Sequence, residues 1–356
     1  MARTNEPAEG PKRELSLREL IDGPTQEIPG YKPAVEATQD LSAHGPGLDA
    51  TEDLSGRDLG PAPGPSGPAR TGTGGRVLIE VPRMPSAGAL YRQALLGALP
   101  GLGGRRGDTV PEVELTVSGV TVDRAHLADY DRVCGFRLAD RLPATYPHVI
   151  GFPLALRLMT APEFPIPLTG VVHVANRITL HRPIEAGETL DFRAYAENLR
   201  PHDRGRQLDV VLVGSVDGAE VWRGVSTYLG KERSSGGGER RDRGERPPSP
   251  AATAHWRVTP RVGTDYARVS GDHNPIHTSR LGARLFGFPR PIAHGMWSKA
   301  RCLAALENRL PESYTVDVAF KLPVPLPSTV AFSATPAWGF ALHDRAGRPH
   351  LTGTIR

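Results

Sequence analysis

Tyr266-Ala267-Arg268-Val269-Ser270-Gly271-Asp272-His273-Asn274-Pro275-Ile276-His277, followed by Pro291-Ile292-Ala293-His294-Gly295-Met296, is the stretch whose reading decides this chain. It sets a carboxylate, Asp272, five residues ahead of an imidazole, His277. Pro275 has no backbone N–H and pushes Asn274 out of the α region, so the segment cannot be helical throughout. A turn between Asp272 and His277 lets both side chains face one point. A helix-like apolar run then begins at His294-Gly295, and a helix start carries free N–H groups and a partial positive charge. An acid–base pair beside such donors suits chemistry in which negative charge builds on a carbonyl oxygen.

The composition outside this stretch is that of a folded part diluted by flexible segments. The chain has 356 residues, 38% of them hydrophobic, with 40 Gly and 35 Pro. That length holds two ordinary domains. A net charge of +4 is too mild to argue for nucleic acid. The two cysteines, Cys134 and Cys302, form no Cys-x-x-Cys pair and no disulfide framework, so a reduced, cytoplasmic setting is expected. The N-terminus has no apolar signal-like core, and no apolar run is long enough to span a bilayer.

Residues 1–75 read as a disordered tail, with a short helical run at 15–21 and a Gly/Pro-rich end. A strand is expected over 77–81 and a helix over 89–99. The glycine-rich piece at 101–107 lacks the Gly-Lys-Ser/Thr ending of a phosphate loop and reads as a surface loop. A strand over 113–122, helices over 124–134 and 148–159, and strands over 171–180, 190–199, 208–216 and 221–229 complete a first domain, 76–230. Residues 231–250 read as a linker. The second domain, 251–356, repeats the order: a strand over 256–262, helices over 264–269 and 295–310, and strands over 315–322, 329–335, 340–344 and 350–355.

The repetition is visible in the residues themselves. The segment 129–136 aligns with 265–272 at an offset of 136, placing Phe136 against Asp272. Pro183, Thr189 and Phe192 match Pro323, Thr329 and Phe332 at an offset of 140. Gly151 matches Gly295 at 144, so the second copy is longer by eight residues where the Asp-x-Asn-Pro-Ile-His loop sits. The first copy has no counterpart of that loop.

The two opening segments resemble the MaoC-like hydratase/dehydratase family, the (R)-specific enoyl-thioester hydratases of the hotdog fold. Tyr266, Ser270-Gly271-Asp272, Asn274-Pro275-Ile276-His277 and the Pro-Ile-Ala-His-Gly-Met run all stand in the family's order. The resemblance implies an α+β fold of two tandem hotdog units, a double hotdog, with one catalytic and one degenerate half. It also implies reversible hydration of a trans-2-enoyl thioester to the (3R)-3-hydroxyacyl thioester, carried by coenzyme A or an acyl carrier protein, as a homodimer or a monomeric double hotdog. No cofactor and no metal are required by that chemistry. Rival readings are a hotdog thioesterase and a non-catalytic acyl-thioester-binding subunit.

Asp272 and His277 are the candidate catalytic pair, against the plainer readings of an Asx turn and a loop histidine. Gly295 is the candidate oxyanion donor, against a glycine kept for helix-to-sheet packing. Asn274, His294 and Met296 are the candidate substrate-side residues. Each also has a plainer reading: turn former for Asn274, cap or packing residue for His294, and buried face of the central helix for Met296. His273 reads as a bystander. In the resembled family a helix serine sometimes contacts substrate, and the comparable position here is taken to be Leu303. The chain has no His-Glu-x-x-His, no paired Cys/His spacing and no Gly-x-Ser-x-Gly elbow, so neither a metal site nor an acyl-serine is expected.

Overall fold

A computed structural model describes residues 75–97, 107–168, 171–231 and 251–356. The expected tail, its helical run at 15–21, the glycine-rich loop and the linker fall outside these residues, apart from end positions.

Two largely buried helices set the architecture. Helix α3 (Tyr146–Met159) buries eleven of its fourteen residues, which is the pattern of a helix enclosed on most sides. Its counterpart α7 (Gly295–Ala304) buries seven of ten. Around α3 run β2 (Val113–Val120), β3 (Val172–Leu180), β4 (Leu190–His202), β5 (Gly205–Val216) and β6 (Ala219–Lys231). Around α7 run β7 (Ala254–Val258), β8 (Tyr314–Phe320), β9 (Ser328–Ala334), β10 (Gly339–His343) and β11 (Pro349–Ile355). Helices α2 (Arg124–Cys134) and α4 (Val262–Ser270) precede these two central ones.

With β1 (Val77–Glu80) at one edge, the described strands join one sheet in the order β1-β2-β4-β5-β6-β3-β8-β11-β10-β9-β7. Without β1, that order reads the same from both ends once each strand is replaced by its repeat partner. The seam is the antiparallel pair β3–β8, where Arg177 stands opposite Asp317, 140 residues on. This is the offset seen between the Pro183 and Pro323 segments, so the seam lies on a local two-fold axis. The offset of 136 reappears at the helix ends: α2 and α4 close on Gly135 and Gly271, both left-handed at φ 82° and 70°. A side chain is strained there, which explains the glycine in both copies. The chain is an α+β double hotdog.

Several expectations shift. Strand β7 stops at Val258 rather than 262, because Pro260 cannot donate to a ladder and α4 begins at Val262. Helix α7 ends at Ala304, six residues short of the expected end. There the Leu306 N–H bonds Leu303 O, three residues back, and a 3-10 turn over Glu307–Arg309 follows. Strand β1 pairs in parallel with β2, on the outer edge, and helix α1 (Ala87–Gly97) packs Ala87 and Leu90 against Phe152 and Leu156 of α3. These two elements precede the duplicated part. Among the described residues no helix is long and apolar enough to cross a membrane.

Candidate active site

The loop after α4 builds itself from local hydrogen bonds. The Asp272 N–H donates to Ser270 Oγ at 3.2 Å, and the Asn274 N–H donates to Asp272 Oδ1 at 3.2 Å, an Asx turn. Asn274 Oδ1 accepts from the Ile276 N–H at 3.2 Å and caps α5 (Pro275–Thr278), whose first residue is the proline. Helix α6 (Arg280–Leu285) follows within the longer second-copy loop. His273 is exposed.

This turn brings Asp272, His277 and His294 together, with one side-chain donor atom from each all within 4.8 Å. His277 Nδ1 lies 2.8 Å from the Ile292 carbonyl, which can only accept. The proton therefore sits on Nδ1, and Nε2 keeps a bare lone pair. His294 Nε2 lies 2.9 Å from the Asp272 carbonyl and is protonated for the same reason. His294 thus clamps the main chain of the Asp272 loop. It makes no side-chain cap to α7, contrary to the capping expectation.

Burial works against a charge on Asp272. The His294 and His277 imidazoles, the Tyr91 hydroxyl and the Asn274 N–H outweigh it and hold the carboxyl below its ordinary range. Burial lowers His277 as well, with Asp272 opposing, so its imidazole is neutral at neutral pH. His294 is pushed down to about 3, by burial first and then by His277. Two carboxylate-side and imidazole-side acceptors therefore stand together without a proton between them. Both rings of the histidine pair stack at 3.7 Å with planes 26° apart. In-plane lone pairs of rings so nearly parallel do not converge on one point, so the trio is a poor metal set.

Gly295 opens α7, and a helix's first N–H groups have no intrahelical acceptor. A methyl at Gly295 would meet the Phe320 ring at 3.1–3.2 Å. The contrast with the first copy is physical. Gly151 is the sixth residue of α3, so its N–H lies inside the helix ladder, and a Cβ there would meet Leu212 and Phe192. In the first copy the glycine serves packing, and in the second the helix starts five residues later and leaves the N–H without an intrahelical acceptor. Phe136, the counterpart of Asp272, sits in the core stacked on Tyr130.

Asp272, Asn274, His277, His294, Gly295 and Met296 all line one cavity of about 1180 Å³. His148, Phe152, His173 and Tyr228 of the first half line it too. Met296 is 6% exposed and also belongs to the core. Ser298, not Leu303, is the helix serine at the cavity; Leu303 points into the core at 1% exposure. The sequence reading missed Tyr91, whose hydroxyl donates to Asp272 Oδ1 at 2.5 Å from α1. A lone tyrosine 181 residues away carries no local pattern, so nothing in the sequence marked it.

The buried histidines set a pH dependence of stability. His148 is pushed down to about 4 and His173 to about 3, by burial first, and His294 likewise to about 3. Their folded-state values lie below the ordinary 6.5, so the unfolded chain binds protons first. The stability they permit is full above about 6.5 and is lost as pH falls toward 4, at up to about 1.4 kcal/mol per group per pH unit. The melting temperature is expected to drop steeply between pH 6.5 and 5. A flat profile there would contradict the assignment of neutral buried imidazoles.

Residues 245–337 match the MaoC like domain. The chain is 40% identical over 269 residues to 3-hydroxyacyl-thioester dehydratase X of Mycobacterium tuberculosis, covering 74% of this chain and 95% of that one. It is 27% identical over 198 residues to enoyl-CoA hydratase ChsH3 of the same organism, covering 51% and 66%. A crystal structure of HtdX from M. tuberculosis superposes with a TM-score of 0.62 at 38% identity, covering 68% of this chain and 99% of that one. The motif read from 266–296, the repeat and these relatives converge: the chain belongs to the MaoC-like dehydratase family.

Proposed function

We propose that this protein interconverts trans-2-enoyl thioesters and (3R)-3-hydroxyacyl thioesters by reversible addition of water. The observation that carries this reading is the Asp272 carboxylate, the His277 imidazole bonded through Nδ1 to Ile292 O, and the helix-start N–H of Gly295 lining one cavity. A water molecule donating its two hydrogens to Asp272 and to His277 Nε2 would aim its oxygen lone pair at C3. As the C3–O bond forms, His277 takes one proton, and the Asp272 carboxylate stabilises the resulting imidazolium. The π pair of the C2–C3 double bond moves toward the thioester oxygen, to which the Gly295 N–H donates. The proton then passes to C2, so one water is consumed and no net proton is gained or lost. In this reading the first half houses the acyl chain, residues 76–230 form its degenerate domain and 251–356 the catalytic one.

The test uses trans-2-enoyl substrates on both coenzyme A and acyl carrier protein, following loss of the enoyl absorbance and the configuration at C3. Loss with a (3R) product is expected; no loss on either carrier overturns the reading, and release of free thiol would indicate hydrolysis instead. Both cysteines are buried free thiols, in keeping with a reducing, cytoplasmic setting. One chain already contributes both halves, so a monomer is expected to be competent, which gel filtration alongside activity would check.

Gly295→Ala offers a narrower test. The added methyl crowds the Phe320 ring and moves the helix start by a few tenths of an ångström. Turnover is expected to fall about tenfold with the fold retained, since misplacement near 1 Å can cost about 100-fold. Turnover equal to wild type would remove Gly295 from the mechanism.

A further inference from the structure

We propose that Tyr91 is a positioning residue of the acid–base couple: by donating to Oδ1 of Asp272 it fixes that carboxylate and leaves Oδ2 as the oxygen that receives the reacting water. The inference rests on the hydratase reading above and extends it to a residue outside both hotdog repeats.

The geometry is specific. Asp272 Oδ1 receives two donors, the Tyr91 hydroxyl at 2.5 Å and the Asn274 N–H at 3.2 Å. Among the described residues Oδ2 has only His294 Nε2 at 3.9 Å, beyond hydrogen-bond range, and that N–H is already given to the Asp272 carbonyl. A carboxylate free to rotate offers two equivalent oxygens. Tied at one of them, it offers a single acceptor whose placement relative to His277 Nε2 is set.

The tyrosine is itself held in place. Ala87 and Leu90 anchor α1 on Phe152 and Leu156 of α3. Ala87 Cβ also sits 3.2 Å from where a Cβ on Gly271 would lie, so α1 rests directly on the residue before Asp272. Glycine at 271 thus serves both the left-handed cap and this close approach. Tyr91 lines the same cavity as the couple, so its hydroxyl acts at the wall of the site rather than behind it. Burial and the Asp272 charge push its own ionisation well above the ordinary range, so it stays a donor and is no proton source near neutral pH.

Tyr91→Phe removes the hydroxyl and keeps the ring. It is expected to lower kcat roughly tenfold with little change in KM, and to move the acidic limb of the kcat profile up by about one pH unit, the scale of a hydrogen bond to a charged group. Incorporating 3-fluorotyrosine at position 91 strengthens the donor and should move the limb the other way. Opposite shifts support the proposal. An unmoved limb in both proteins overturns it, even if kcat falls, because a purely structural loss does not retitrate a carboxylate. Should Tyr91→Phe fail to fold, the fluorotyrosine protein decides alone. Carboxyl-carbon NMR titration of Asp272 in the same proteins reads the shift without substrate. If the wild type does not hydrate enoyl thioesters, the hydratase reading fails while this titration still judges the Tyr91–Asp272 coupling.

Discussion

Asp272→Asn and His277→Ala are each expected to lower turnover at least about 100-fold, the scale of a lost general acid–base group, with melting temperatures near wild type. The asparagine keeps the volume and can still accept from Tyr91, so the loop has no steric reason to move. What changes is the second atom: an NH2 donor stands in place of Oδ2, the proposed water acceptor, and a water cannot give its hydrogen to it. His277→Ala removes the bare Nε2 and also the bond to the Ile292 carbonyl at 2.8 Å. A 100-fold loss corresponds to about 2.7 kcal/mol of transition-state stabilisation. The pH profile gives the complementary reading. Asp272 must be charged and His277 neutral, and both have lowered values, so activity in the wild type should persist on the acid side to below the ordinary imidazole range. Wild-type-like turnover in either variant, with thermal unfolding unchanged, would take the couple out of the reaction.

Lys299→Ala is expected to be the most damaging single change to stability among the residues considered. Lys299 is fully buried on α7, and its Nζ donates to Asn176 Oδ1 at 2.6 Å and to the carbonyls of Asn176 and Val316 at 3.2 Å each. These acceptors lie on β3 and β8, the two strands of the seam, so one side chain ties the second half's central helix to both copies. Burial pulls the ammonium well below its ordinary range, with Asp317 opposing. Three oxygen acceptors match the three N–H donors of the charged form and offset that pull. Truncation leaves a void and an unsatisfied Asn176 oxygen in the core, at a combined cost of about 3–5 kcal/mol. That translates to a melting temperature lower by roughly 10 °C for a chain of this size. Adding Asn176→Leu to Lys299→Met should recover part of the loss, because no Asn176 amide oxygen is then left without its donor, while Ser226 Oγ gives up the Asn176 Nδ2 donor at 3.0 Å. A Lys299→Ala protein as stable as wild type would show the seam does not depend on this contact.

Much of the candidate site was legible because its residues are close in sequence. Asp272, Asn274, Pro275 and His277 lie within six residues, and their turn follows from one proline and one Asx cap. The two-fold repeat was legible too, since nearly equal offsets, 136 between Gly135 and Gly271 and 140 between Pro183 and Pro323, survive in the residues themselves. Helix ends were less so: the early stop of α7 depends on how Leu306 folds back, which apolar spacing does not encode.

The sequence by itself determined the duplication, the loop that only the second copy carries, and the residue types able to handle water, because each rests on short-range spacing and backbone stereochemistry. Tertiary structure alone decided three things. It put Tyr91 on Asp272 across 181 residues, joined the copies along β3–β8 through Lys299, and left the Gly295 N–H without an intrahelical acceptor while burying that of Gly151 inside a helix. Those outcomes depend on packing between distant segments, where contact is set by shape and burial over the whole chain and leaves no periodicity in any one part of it.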